Sequence, residues 1–193
     1  MTAPAGESSR PTAAEAGGGP PPGLTRLWAG WRTAYIARVT SDDAELRPDD
    51  AGRTLFERIL GSGLPDDETF VVQRGERVAT LLNAYPYGSG HLLVLPLRAV
   101  ADLTELTAEE TAELWATVTD AVAAVRAAYA PDGVNVGLNL GAAAGAGIPD
   151  HLHVHVLPRW AADANFMTAV AETRVLPEPL AETYRKVTAA WPS

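Results

Sequence analysis

Three of the chain's four histidines fall in one six-residue run, His151-Leu152-His153-Val154-His155-Val156; the fourth is His91. In an extended strand successive side chains alternate faces, so the three imidazoles would share one face and Leu152, Val154 and Val156 the other. Neighbouring imidazoles on that face are expected roughly 7 Å apart. A single histidine on a strand is ordinarily structural. Three in strict alternation are hard to account for by packing. Two chemistries suit them. They can ligate a metal, with Asp150 or Asp163 adding a carboxylate. Alternatively, one imidazole is a nucleophile while the others bind an anionic substrate and stabilise charge.

The preceding segment bears on that choice. Gly141-Ala142-Ala143-Ala144-Gly145-Ala146-Gly147 carries only small side chains. Such a backbone can turn its N–H groups onto a phosphate, or it can be a plain flexible hairpin loop. No Gly-Lys-Ser/Thr follows, so it is not a Walker loop. A strand rather than a helix comes next, so it does not fit the dinucleotide fingerprint.

Five strand-like runs must position these residues, over 69–74, 77–83, 91–97, 134–140 and 151–157. Gly75-Glu76 fits a two-residue hairpin turn between the first two. Thr107 with Glu110 is a capping box that predicts a long helix over 108–130, ended by Pro131. Leu114, Val118, Val122, Val125 and Tyr129 recur on one of its faces. A short helix over 53–60 and a last one over 180–190 are also expected. The layout is α+β: a five-stranded antiparallel sheet with helices on one side, one long and a shorter C-terminal one.

Composition bounds the rest. In 193 residues, 15 Lys+Arg stand against 24 Asp+Glu, a net charge of −9. That balance argues against a nucleic-acid binder, which needs clustered basic residues, but allows a small anion in a local pocket. With no Cys, disulfides, thiolate zinc sites and a Cys nucleophile are excluded. No apolar run reaches membrane-spanning length and no signal peptide is evident, so a cytoplasmic location is expected by default. Residues 1–23 are rich in Pro, Gly and Ala and are expected to be a disordered tail, with a single domain over 24–193. Asp42, Asp43, Asp49 and Asp50 fit a solvated acidic loop over 41–53.

The run from His151 to Leu157 resembles the motif of the histidine-triad (HIT) superfamily of nucleotidyl hydrolases and transferases. Arg26-Leu27-Trp28, Trp31-Arg32, Tyr35-Ile36, the stretch from Leu82 to Tyr87 and Gly90 to Val94 are similar to its dinucleoside-polyphosphate branch. So are Asn139, the loop to Gly147, Asn165-Phe166-Met167, Arg174 and Pro177-Glu178. The resemblance covers most of residues 24–190. It implies a HIT-like α+β fold that pairs as a homodimer. It makes His153 the nucleophile on an α-phosphate, with His151 and His155 holding phosphate oxygens and His91 joining their network. Asn83 matches a ribose-binding position, Asn139 an amide near the scissile phosphate, and Leu81 and Ala84 the base pocket. A neutral imidazole suits that nucleophilic role near pH 7.

Two departures from the family pattern carry meaning. Many relatives have a Cys-x-x-Cys zinc site where this chain has residues 54–60 without Cys, so no structural zinc is expected. Where hydrolytic branches often have Gln or Ser shortly before the triad, this chain has the small or apolar Ala146, Gly147 and Ile148. That resembles the branch that phosphorolyses diadenosine tetraphosphate, and small residues would leave room for inorganic phosphate. Arg159 could contact a distal phosphate or be an ordinary surface arginine. Trp160 could stack on a second adenine or pack in the core or at a dimer interface, as Trp28, Trp31 and Trp115 would.

The resulting expectation is a nucleotidyltransferase that converts diadenosine tetraphosphate and phosphate to ADP and ATP through nucleotidyl-His153. No cofactor is expected, with magnesium at most a counter-ion of the substrate. A HIT hydrolase releasing AMP, or nucleotidyl transfer in a specialised pathway, is the alternative. A His-ligated metal hydrolase and a non-catalytic nucleotide sensor are the readings from other classes.

Overall fold

In the computed structural model, which describes residues 52–161, 163 and 178–192, the chain forms the expected α+β fold. The helices are α1 (Leu55–Leu60), α2 (Asp66–Thr69), α3 (Ala108–Tyr129) and α4 (Leu180–Ala189). The strands are β1 (Val71–Arg74), β2 (Val78–Leu82), β3 (Leu92–Pro96), β4 (Gly133–Leu138) and β5 (Val154–Arg159). They form one antiparallel sheet in the order β1-β2-β3-β5-β4. The tail, most of the acidic loop, the residues from Arg26 to Ile36, and Asn165, Phe166, Met167, Arg174 and Pro177 lie outside the described residues.

Helices cover both faces of the sheet, not one. Leu114, Val118, Ala121 and Val125 of α3 and Val187 of α4 pack on Val78, Leu82, Val94, Leu152 and Val156. On the opposite face Phe56 of α1, with Ile59 and Leu60, packs on Val71, Leu81, Leu93 and Leu95. The reason lies in β2 and β3, which are buried at every position. Strands apolar without alternation need cover on both sides. Each fully buried Leu or Val contributes about 1.5–3 kcal/mol of hydrophobic stabilisation.

Local signals explain most boundaries. Thr107 and Glu110 form the capping box of α3, and Arg98 also bonds Glu110 at 2.8 Å. That guanidinium, with the Thr107 N–H, draws the Glu110 carboxyl down to about 2. The hairpin turn differs by one residue from expectation. Gly75 N–H donates to Val78 O at 2.7 Å, so Glu76 and Arg77 are the central pair. Glu113 of α3 decides this by accepting the N–H groups of Arg77 and Val78 at 2.9 and 3.1 Å. Thr69 is helical, and Phe70 takes a left-handed φ of 56°, so β1 starts only at Val71. Glu178 accepts from Thr183 Oγ1 at 2.9 Å and from the Tyr129 hydroxyl, and pairs with Lys186, fastening α4 to α3. Among the described residues no helix is long and apolar enough to cross a membrane.

Candidate active site

β3 and β5 run side by side at the sheet centre, pairing Leu93 with His155. This register brings His91, which just precedes β3, to His155, sixty-four residues away. Gly90 makes the approach possible. Its φ is +76°, and a Cβ there would lie 2.9 Å from both the Pro158 side chain and the Tyr129 ring.

The three histidines of the run do not share one strand face. β5 begins only at Val154, so His151 and His153 precede it. The cause is a competing pairing: Leu152 N–H donates to Val100 O at 2.7 Å, outside the ladder. Leu152, Val154 and Val156 still enter the core. The rings of His153 and His155 are 5.0 Å apart, and those of His91 and His155 5.1 Å, closer than strand spacing gives.

Hydrogen bonds specify where each neutral ring carries its proton. His153 Nδ1 lies 2.8 Å from His151 O, which can only accept, so Nδ1 holds the proton and Nε2 keeps its lone pair. Tyr87 N–H donates to His91 Nδ1 at 3.0 Å, so His91 donates from Nε2 to His155 Nδ1 at 2.9 Å. His155 then carries its proton on Nε2, as a donor. His151 donates from Nε2 to Pro96 O at 2.8 Å and accepts from the Thr54 hydroxyl on Nδ1 at 2.6 Å.

A cavity of about 470 Å³ opens beside these rings. Its apolar wall includes Leu55, Phe56, Ile59, Phe70, Leu81 and Leu93. Asn83, His153, His155, Gly145, Ala146 and Gly147 line its polar part. Asn83 accepts the Tyr85 N–H at 2.9 Å, which fixes its amide. Among the described residues, the backbone N–H groups of Gly147 and Ile148 make no hydrogen bond within the chain.

Several expected site residues do not line the cavity. His151 is fully buried, outside the cavity wall, with its ring engaged by Thr54 and Pro96. It does not reach a phosphate in the cavity, contrary to the role expected from its place in the motif. His91 is buried behind His155. Asn139 follows β4 and does not line the cavity. Arg159 is bound to Asp163 at 2.5 Å and to Asn135 at 2.8 Å, and neither Arg159 nor Asp163 lines the cavity. Trp160 packs edge-on against Tyr129 at 6.1 Å and is not in the cavity wall.

Other residues join the site without having been expected. Phe56 presents its ring 5.3 Å from both His151 and His153. Tyr87 stacks on His155 at 5.8 Å. Thr54 and Glu57 form the capping box of α1. That box was legible as Thr-x-x-Glu, but nothing local joins it to a histidine ninety-seven residues away.

Burial lowers the proton affinity of both His151 and His153, against the opposing pull of the carbonyls of Pro96 and His151. Both rings therefore stay neutral in the folded protein below the ordinary imidazole value of about 6.5, while the unfolded chain takes up protons there. Stability is thus fully present above that value and is lost as the pH falls through it. Each ring can contribute up to about 1.4 kcal/mol per pH unit in that window. Urea unfolding midpoints at pH 7.5, 6.5 and 5.5 check this (flat above, falling below).

A HIT domain model matches residues 65–162 of the sequence. Over 168 residues, 87% of this chain and 85% of the relative, the sequence is 40% identical to the "AP-4-A phosphorylase" of Mycobacterium tuberculosis. The chain belongs to the HIT family. A Schizosaccharomyces pombe "Bis(5'-nucleosyl)-tetraphosphatase [asymmetrical]" is 36% identical over 93 residues, 48% of this chain and 50% of that protein. The crystal structure of a zinc-bound histidine triad protein from Mycobacterium smegmatis superimposes with a TM-score of 0.58 at 28% identity, covering 72% of this chain and 92% of that one. Near α1 this HIT chain has no cysteine to form a thiolate zinc site; Thr54 and Glu57 there are bonded to one another, and Thr54 to His151. Among the described residues no three His, Cys, Asp or Glu side chains are grouped as a metal would require.

Proposed function

We propose that this HIT protein is a nucleotidyltransferase that phosphorolyses dinucleoside polyphosphates. The observation that carries this is the His153 ring: its Nδ1 proton is held by His151 O and its Nε2 lone pair stands at a mostly apolar cavity. The 40% identity to an "AP-4-A phosphorylase" supports the substrate class.

In this reading Phe56, Ile59, Leu81 and Leu93 receive an adenine, and Asn83 bonds the ribose. His153 Nε2 attacks the α-phosphorus of diadenosine tetraphosphate. The P–Nε2 bond forms as the P–O bond to the bridging oxygen breaks, and ATP departs, its phosphates neutralised by magnesium as counter-ion. His155 Nε2–H donates to a phosphoryl oxygen at this step, with His91 holding its ring. An oxygen of inorganic phosphate then displaces His153 to give ADP. The small residues at Gly145, Ala146 and Gly147 leave room for that phosphate, and the N–H groups of Gly147 and Ile148 suit an anion.

A homodimer fits as well. Among the described residues β4 is an edge strand, with Val136 exposed on it and Leu140 exposed just beyond it, and a strand edge of this kind can pair with a second copy.

The second reading replaces phosphate by water and yields AMP. The resemblance to the asymmetrical tetraphosphatase favours it. Product analysis separates the two. Diadenosine tetraphosphate with phosphate is expected to give ADP and ATP, and without phosphate no sustained turnover. AMP and ATP at the same rate in both conditions would make the protein a hydrolase.

A further inference from the structure

Thr54 caps α1, and its hydroxyl also lies 2.6 Å from His151 Nδ1. The direction of that bond can be deduced. Pro96 O only accepts, so the 2.8 Å contact to it places the His151 proton on Nε2. In the neutral ring Nδ1 is then an acceptor, and Thr54 must donate. Thr54 has one hydroxyl proton and two possible acceptors, His151 Nδ1 and Glu57 Oε2 at 3.2 Å. The histidine takes it. Glu57 meanwhile accepts the N–H groups of Thr54 and Ala99 at 2.9 and 3.3 Å, which ties α1 to the end of β3. Both nitrogens of the buried ring are therefore fixed, one from each side.

The same residue supplies the carbonyl that holds the Nδ1 proton of His153 at 2.8 Å. We infer that Thr54, held in place by Glu57, is a positioning residue for the nucleophile. It keeps His151 in its Nε2–H form and its carbonyl on His153 Nδ1, so that the His153 lone pair stays on Nε2. Without the hydroxyl, His151 Nδ1 has no donor in a dry site and the ring can turn or exchange tautomers. The carbonyl then loosens, and His153 can place its proton on Nε2, a form with no lone pair for the phosphorus. This inference rests on His153 being the nucleophile.

The test combines kinetics on diadenosine tetraphosphate with nitrogen NMR of histidine-labelled full-length protein. In the wild type, His151 is expected as the Nε2–H and His153 as the Nδ1–H tautomer. Thr54→Val should lower kcat about tenfold or more with KM within about twofold, and should perturb the ring nitrogens of His151 and His153. Thr54→Ser should restore both. Thr54→Asp retains a good helix cap but faces His151 with an acceptor, so it should also fail in kcat. This variant decides the matter if Thr54→Val does not fold. A wild-type His151 in the Nδ1–H form overturns the inference. So does Thr54→Val with unchanged kcat and unchanged ring signals, or with losses confined to thermal stability. A wild type that yields no product refutes the proposed reaction, and the histidine spectra then decide the positioning alone.

Discussion

Replacing His153 with Ala is expected to lower turnover of diadenosine tetraphosphate by about ten-thousandfold or more, while nucleotide binding survives. The size of the loss follows from what the residue does in the proposed reaction. His153 divides one difficult displacement into two easier ones, and no other neutral nitrogen lone pair is aimed into the cavity. His155 cannot substitute, because its Nδ1 accepts from His91 and its Nε2 carries the proton. His151 cannot, because Pro96 and Thr54 occupy both of its nitrogens. Binding should persist because the adenine-sized part of the cavity is made by other residues, among them Phe56, Ile59 and Leu81. Steady-state rates and a calorimetric titration with AMP check the two halves separately. Turnover within a hundredfold of the wild type would remove His153 from the reaction. Loss of AMP binding in a folded variant would instead make it a binding residue.

Gly90→Ala is expected to be the most damaging single-methyl change near the site. A non-glycine residue at φ +76° costs about 1–2 kcal/mol by itself. The added Cβ would also lie 2.9 Å from Pro158 and from the Tyr129 ring. Neither neighbour moves freely. Pro158 is in β5, paired with Val134, and Tyr129 is anchored through its hydroxyl to Glu178. The combined cost should be about 2–4 kcal/mol, a fall in Tm of about 5–15 °C for a domain of this size. Activity should fall further than stability, because the next residue, His91, orients His155. Gly133→Ala is the control: among the described residues no atom beyond its chain neighbours lies within 4 Å of its Cβ position, and it should stay within about 0.5 kcal/mol of the wild type. A Gly90→Ala protein with wild-type Tm and kcat would mean that the turn adapts and that His91 need not be held.

Much of this molecule could be read from local pattern, because local pattern reports short-range energetics. The long helix announced itself through Thr107 and Glu110, whose reciprocal bonds satisfy N–H groups at its N-terminus. The five strands were legible as apolar runs between turn residues. Their ends were not, because an end depends on which backbone group is taken by another element. Leu152 leaves the expected strand for Val100, and Glu113 sets the β1–β2 turn from a distant helix. The cover on both faces was implicit in the unbroken apolarity of β2 and β3, yet α1 offered too short a pattern to claim the second face.

The sequence by itself determined which side chains are available for chemistry: four histidines, a small-residue loop and no cysteine. It also determined, through the spacing of the histidine run, that Leu152, Val154 and Val156 go to the core. Only the tertiary structure decided what each histidine does. Alternation along a chain is a one-dimensional rule, and it made His151, His153 and His155 look equivalent. Proton positions and burial depend on partners far apart in sequence, namely Thr54 and Pro96 for His151 and His91 for His155. Those partners turn one ring inward, expose the lone pair of the second and make the third a donor. The same holds for Arg159 and Trp160, which follow the run directly but are drawn away by Asp163, Asn135 and Tyr129. Adjacency in sequence brings a residue near a site; the bonds it makes across the fold decide whether it faces that site.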